Sequence, residues 1–135
     1  MSELKEKAIK AAEKFLEQRG YEVIESNWKS ESGNSLDLVA REDDTVVFVD
    51  VYARHGFDKG MPEEGNEGSR ERREIAAAAW LSEHADDAGY VDIPVRFDSI
   101  AMMLLSENRA LLKHHINCLG CGLTAGLRSM SRLTW

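Results

Sequence analysis

Cysteine and long apolar segments are both scarce in this chain. Two cysteines among 135 residues are too few for a disulfide scaffold, and we therefore expect a cytoplasmic protein. No apolar run approaches the roughly 20 residues that a membrane-spanning helix needs. The first ten residues, MSELKEKAIK, are charged and lack the apolar centre of a signal peptide. We therefore expect neither a membrane protein nor a secreted one.

Excess positive charge is missing as well. The chain has 17 Lys and Arg residues against 24 Asp and Glu residues, a formal net charge of −7. This balance disfavours indiscriminate binding of nucleic acids, because neutralising phosphates takes a basic face. It does not exclude a nucleic-acid enzyme whose site is acidic because it holds a divalent metal. The charge is uneven: the segment SRERR, which contains Arg70, Arg72 and Arg73, is basic.

Helix and strand patterns alternate along a chain whose length suits one domain. An apolar stripe from Leu4 to Phe15 predicts a first helix. Strands are predicted at residues 21–28, 36–41, 45–52, 95–105 and 110–116. With a second helix before the fourth strand, the order α-β-β-β-α-β-β predicts an α/β fold with a central mixed five-stranded sheet flanked by helices. We expect one domain over residues 1–117 and a tail, residues 118–135, of unknown role.

Two of these elements allow a finer prediction. The third strand, residues 45–52, is apolar on successive residues, which is typical of a strand in the middle of a sheet. The second helix lies in the segment RERREIAAAAWLSEHA. Trp80 in this helix and Trp28 are expected in the core or at its rim. The residues of the helix predicted to face the sheet are Ile75, Ala78, Ala79 and either Leu81 or Ser82.

A carboxylate interrupts each of two apolar strands in the segment LDLVAREDDTVVFVDVYARHG. Asp37 lies six residues before Asp43 in the turn, and Asp50 lies seven residues after it, so an antiparallel hairpin brings the two to similar heights. Two ionised carboxylates that are brought together repel each other and lose hydration. A hard cation such as Mg²⁺ removes both costs. Turn caps or surface ion pairs are the alternative, and spacing alone favours that alternative.

The ordered set of segments resembles the PD-(D/E)XK pattern of restriction-endonuclease-like proteins. More specifically, it resembles the YraN-like family, bacterial endonuclease-like proteins related to Holliday-junction resolvases. The resemblance covers roughly residues 4–117. It rests on RGYEVIESNW, SLDLVAREDDTVVFVDVYAR, the arginine-rich helix start, AAAAWL, VRFDSIAM and LLKHHINCL. It implies a restriction-endonuclease-like fold and metal-dependent hydrolysis of phosphodiesters.

The resemblance also implies roles for individual residues. Asp37 matches the metal-binding Asp of the family, and Asp50 takes the place of its Glu. The backbone carbonyl of Val51 would complete the metal shell, and Arg54 matches a basic residue that would contact phosphate. The implied cofactor is Mg²⁺ or Mn²⁺, with no organic cofactor. The implied partner is nucleic acid, DNA and branched DNA included, and no membrane.

Two departures from the family pattern weaken the implied catalytic site. Tyr52 stands where the family has a Lys whose ammonium would orient and acidify the attacking water, and a neutral phenol supplies no full positive charge. Ser35 stands where the family usually has Glu. The cluster of Arg70, Arg72 and Arg73 could reach into the site or grip the nucleic-acid backbone, but Arg is a poor substitute for a water-activating amine.

We therefore favour a weakened or lost catalytic site over a relocated one. Two hypotheses follow: a metal-dependent endonuclease-like protein that binds nucleic acid, or a non-catalytic nucleic-acid-binding or protein-interaction module on the same fold. The sequence leaves the oligomeric state open, a homodimer included.

Two further sets of residues carry side chains that could bind a metal. His114, His115, Cys118 and Cys121 could form part of a zinc site, but consecutive residues of a strand point to opposite faces. We favour one buried and one exposed His beside two reduced thiols. Glu17 could add an acid to the metal site, although a place on a solvated helix face is the more common role.

Overall fold

The structure, a computed structural model, describes residues 3–56, 67–84, 93–116 and 131–134, with the backbone alone for residues 67–70 and 131–134. Among the helices described, none is long and apolar enough to cross a membrane. In chain order the elements are α1 (Glu3–Gln18), β1 (Glu22–Lys29), β2 (Ser35–Glu42), β3 (Thr45–His55), α2 (Glu67–Glu83), β4 (Val95–Ser106), β5 (Arg109–His115) and β6 (Ser131–Thr134).

The strands form one mixed sheet whose spatial order follows the chain from β1 to β6. β3 and β4 run parallel, and the other neighbouring pairs are antiparallel. A parallel pair needs a long crossover connection, and α2 lies within it. The predicted order α-β-β-β-α-β-β is confirmed, and β6 adds a sixth strand beside β5. The predicted division of the chain at residue 117 stays a prediction.

β3 lies in the middle of the sheet, as its continuous apolar run predicts. Its side chains alternate between two core clusters, one on each face of the sheet. Val47 and Val49 pack in the cluster that contains α1. Val46 and Phe48 pack in the cluster that contains α2. Because a helix covers each face, successive residues of β3 are buried, and polar and apolar residues do not alternate along the strand.

The face that α2 turns towards the sheet differs from the prediction. Ala76, Ala77 and Trp80 are buried against the sheet. Ile75 is 52% exposed and Ala78 is exposed as well, so the prediction for these two residues is wrong. The helix is therefore rotated relative to the predicted orientation.

The alanine run explains the wrong orientation. Residues 76–79 are all alanine and offer no apolar contrast, so the predicted rotation depended on the flanking Ile75 and Leu81. In the structure the fully buried indole of Trp80 packs edge-on against Phe48, with ring centres 5.8 Å apart. Trp28 is buried on the same side of the sheet, so the core placement predicted for both tryptophans is confirmed.

The β2–β3 hairpin determines where the two acids lie. Leu38 pairs with Val49 in its antiparallel register, and the next position of that register places Asp37 across from Asp50. The hairpin turns through Asp43, whose φ of 54° lies in the left-handed region that tight hairpin turns require. Asp tolerates this conformation better than most residues do. The register thus agrees with the predicted juxtaposition of the two acids.

Candidate active site at the β2–β3 hairpin

The two acids of the hairpin line one cleft of about 240 Å³. The cleft is built from the start of α1, the β1–β2 turn, the hairpin strands and the first turns of α2. The described residues that line it are Lys5, Gly33, Asn34, Ser35, Asp37, Asp50, Tyr52, Arg72 and Arg73. Three of them are cations and two are carboxylates. The site is therefore suited to an anionic ligand.

Asp37 is held by two donors. Its Oδ2 accepts a hydrogen bond of 2.8 Å from the backbone N–H of Val51, which fixes the carboxylate against β3. The same oxygen lies 2.8 Å from the ammonium of Lys5. Lys5 also donates to the carbonyl oxygen of Val51. One ammonium therefore bridges a side-chain oxygen and a backbone oxygen at the hairpin.

Asp50 is held from the other helix. Its Oδ2 lies 2.8 Å from Nε of Arg73 and accepts a hydrogen bond of 3.2 Å from the hydroxyl of Tyr52. Burial raises the pKa of Asp50 above its usual value. The Arg73 guanidinium opposes this rise, and the negative charge of Asp37 adds to it. The two carboxylates are thus close enough for the charge of Asp37 to act on Asp50.

Arg73 has little freedom to leave Asp50. Its Nη2 donates a hydrogen bond of 2.6 Å to the backbone carbonyl of Asp98 on β4. Its guanidinium also lies over the ring of Phe97, 5.7 Å from the ring centre. With 11% of the side chain exposed, Arg73 is a fixed bridge between α2, β3 and β4.

Lys5 is the functional candidate that sequence reasoning missed. The motif position itself holds Tyr52, and the ammonium of Lys5 lies 5.8 Å from the centre of the Tyr52 ring. Lys5 precedes the buried residues Ile9, Ala12 and Leu16 at spacings of four, seven and eleven residues. A lysine that continues the apolar face of a helix is the signal that could have found it, since that face is turned towards the sheet.

Some of the other residues predicted for the site line the cleft, and others lie outside it. Ser35, Arg72 and Arg73 line the cleft with Asp37 and Asp50, whereas Glu17 is exposed on α1. Arg54 lies on β3, half-buried and two residues beyond Tyr52, and is not among the described residues that line the cleft. The side chain of Arg70 falls outside the part of the chain that the structure describes. The same is true of Cys118 and Cys121.

The cleft offers oxygen ligands of the kind that hard cations prefer. The carboxylates of Asp37 and Asp50 and the carbonyl of Val51 are all hard donors, and this donor set fits Mg²⁺ or Mn²⁺. Within residues 3–56, 67–84, 93–116 and 131–134, no group of three or more His, Cys, Asp or Glu side chains could hold a metal ion. A metal would therefore depend on two carboxylates, one carbonyl, water and substrate oxygens.

A buried cluster centred on Asp98 stands behind Arg73, and sequence reasoning missed it as well. The carboxylate of Asp98 is fully buried and accepts two hydrogen bonds from Arg96, of 2.9 and 2.8 Å. Nε2 of His114 lies 2.8 Å from the same carboxylate. Arg96 also donates to Glu42 at 2.9 Å and to the hydroxyl of Tyr21 at 2.7 Å. His114 thus has a structural partner within the sheet.

The mixed sheet and its covering helices define an α/β protein with a restriction-endonuclease-like fold. Residues 9–102 match the profile of the uncharacterised protein family UPF0102. The chain belongs to this family, and the YraN-like family named from the sequence is the same one.

Bacterial relatives support this assignment over most of the chain. A UPF0102 protein of Desulforapulum autotrophicum is 36% identical over 100 residues, which covers 74% of this chain and 78% of that protein. A UPF0102 protein of Rhodococcus jostii is 38% identical over 104 residues, covering 76% and 84%. One from Geobacter sulfurreducens is 34% identical over 104 residues, covering 76% and 77%. These names carry no activity, so function has to be argued from the site.

Proposed function

We propose that this protein is a metal-dependent endonuclease-like protein that binds nucleic acid at the Asp37–Asp50 cleft. In this proposal Lys5 supplies the ammonium that the motif lacks at Tyr52. The supporting observation is the position of Lys5 Nζ, 2.8 Å from Asp37 and 5.8 Å from the centre of the Tyr52 ring. A full positive charge thus enters the cleft from α1. The substrate class is a DNA phosphodiester, with branched DNA included.

The residues of the cleft take separate roles in this proposal. Lys5 stabilises the negative charge that develops during attack, and unlike Arg it can also release a proton. Val51 keeps the Asp37 carboxylate oriented through its backbone N–H. Arg73 keeps the Asp50 carboxylate oriented through the ion pair with its guanidinium. Arg72 contacts a phosphate at the mouth of the cleft, because a guanidinium matches phosphate geometry.

The reaction is hydrolysis of a phosphodiester bond. A water oxygen attacks phosphorus and gives up a proton, the bond from phosphorus to the leaving oxygen breaks, and the leaving oxygen takes up a proton in turn. Mg²⁺ or Mn²⁺ held by Asp37, Asp50 and the Val51 carbonyl would acidify the water and neutralise charge on the phosphate. Arg54, further along β3, would contact the backbone of the nucleic acid. No organic cofactor is needed.

A cleavage assay tests the proposal with variants that remove the ammonium at position 5 or move it to position 52. Labelled linear and four-way DNA are incubated with Mg²⁺ or Mn²⁺. We expect cleavage by the wild type, none by Asp37→Asn, and a rate about 100-fold lower for Lys5→Met, since losing one transition-state donor costs about that much. The double variant Lys5→Met/Tyr52→Lys should regain part of the rate, because it returns an ammonium to the motif position.

Lys10→Met is the matched control, since Lys10 is exposed on the same helix and its loss changes the net charge equally. Cleavage by Lys5→Met at the wild-type rate would contradict the role of Lys5. Absence of cleavage by the wild type on every DNA would contradict the enzymatic proposal.

A non-catalytic nucleic-acid-binding module is the second candidate, and one observation favours it. Each carboxylate already has a cation at 2.8 Å, Lys5 at Asp37 and Arg73 at Asp50, so the charges of the two carboxylates are compensated without a metal. Gel-shift binding that does not depend on Mg²⁺, without cleavage, would favour this candidate. A cytoplasmic location and the oligomeric state, homodimer included, stay predictions to be measured.

A further inference from the structure

Lys5 occupies the oxygens that the proposed metal needs. Its ammonium contacts Asp37 Oδ2 at 2.8 Å and also the carbonyl of Val51. These two oxygens are two of the three donors that the protein offers to a divalent cation. An ammonium at these oxygens weakens the binding of a metal to them, because the two positive charges repel at such short distances.

We propose that Lys5 is an internal counter-ion that competes with the divalent metal for Asp37 and Val51, so that metal binding to the free protein requires displacement of Lys5. This inference rests on the proposed metal role of Asp37. In the free protein the ammonium lowers the affinity for the metal. When the metal binds, the ammonium leaves these oxygens and stays in the cleft, where it can form an ion pair with a phosphate.

The exchange takes place at Asp37, because the two ion pairs of the cleft differ in strength. The Lys5 side chain is 32% exposed and its ammonium ends a flexible four-carbon stem, and exposure to water weakens an ion pair. Arg73 is 11% exposed and is tied by a further bond of 2.6 Å to the carbonyl of Asp98. Lys5 therefore moves at lower cost than Arg73.

Binding of Mn²⁺ alone tests the exchange without any measurement of cleavage. The full-length protein is titrated with Mn²⁺, and free Mn²⁺ is followed by its electron paramagnetic resonance signal. We expect Lys5→Met to bind Mn²⁺ at least about fivefold more tightly than the wild type, the low end of ordinary coupling between two sites. Lys5→Arg keeps the charge and should bind as weakly as the wild type.

Two controls assign the effect to the cleft. Lys10→Met removes a charge from an exposed position of α1 and should leave the affinity unchanged. Lys5→Met/Asp37→Asn should lose the gain, because the released carboxylate is then missing. If Lys5→Met unfolds, Lys5→Gln replaces it, and the rise in melting temperature caused by Mn²⁺ reports the same affinity.

The outcomes separate this inference from the nuclease proposal. Equal Mn²⁺ affinity of the wild type and Lys5→Met would overturn the exchange, and so would a loss of binding in Lys5→Met. If Lys5→Met binds more tightly while the wild type cleaves no DNA, the exchange stands and the nuclease proposal fails. If the wild type cleaves DNA but Lys5→Met gains no affinity for Mn²⁺, the nuclease proposal stands and the exchange fails.

Discussion

At the level of single residues, Asp50 combines burial with an ion pair, and burial has the larger effect. Desolvation raises the pKa of its carboxyl group although Arg73 lies 2.8 Å away. A carboxylate must be deprotonated to bind a metal. If Asp50 holds a metal as we propose, loss of metal binding on acidification should begin at a higher pH than for an ordinary Asp.

The raised pKa of Asp50 predicts a pH dependence of stability. Below the usual Asp pKa of 3.8, the carboxyl is protonated in both the folded and the unfolded state. As the pH rises, the unfolded state ionises first, so the stability of the wild type relative to Asp50→Asn falls until the pH passes the raised pKa. Urea unfolding at a series of pH values from about 3 to 7 measures this difference. A difference that grows in favour of the wild type with rising pH would contradict the prediction.

The Lys of the site illustrates what the sequence can and cannot predict for a single residue. The pair Asp37 and Asp50 follows from a short hairpin, because local spacing determines which strand positions face each other. Lys5 reaches that pair only because α1 packs on the sheet, which is a tertiary contact between distant parts of the chain. Asp98 and Arg96 form their cluster on the same strand. Its further partners come from β5, β2 and the residue before β1, and no local pattern identifies them.

At the level of elements, α2 shows how a uniform composition hides the orientation of a helix. Four successive alanines are compatible with any rotation about the helix axis. In the structure two side chains determine the rotation of α2. Trp80 is large and fully buried, and Arg73 forms an ion pair with Asp50 on the sheet. The strands were predicted more closely, because their apolar runs end sharply at polar turns. β6 is short, with four residues, and gave no comparable signal.

Two adjacent alanines provide a matched test of this rotation. Ala77 is 2% exposed and Ala78 is exposed. Ala77→Leu should lower the free energy of unfolding by about 1–3 kcal/mol, because extra methyl groups overfill a packed interface. Ala78→Leu should change it by less than about 0.5 kcal/mol, as expected for an exposed helix position. Urea unfolding of both variants measures the difference, and equal losses would contradict the observed orientation of α2.

At the level of the whole molecule, the Asp98 cluster ties together parts of the chain that are far apart in sequence. Arg96 and His114 contact the Asp98 carboxylate from β4 and β5. Arg96 continues to Glu42 at the end of β2 and to Tyr21 before β1. The backbone carbonyl of Asp98 also holds the arginine that holds Asp50. The cleft therefore rests on a buried polar support that spans most of the sheet.

Removal of the Asp98 carboxylate should cost far more than removal of a peripheral partner. Asp98→Ala removes a fully buried carboxylate and leaves the partly buried Arg96 guanidinium without its closest counter-charge. Breaking a buried ion pair by removing one partner costs about 3–5 kcal/mol. Glu42→Ala should cost less than about 1 kcal/mol, because the Glu42 side chain is 38% exposed and water can replace it. Urea unfolding at pH 7 compares both with the wild type. Equal losses, or a loss below about 1 kcal/mol for Asp98→Ala, would mean that the cluster does not hold the sheet together. In that case Arg73 and Tyr52 would position Asp50 without support from the cluster.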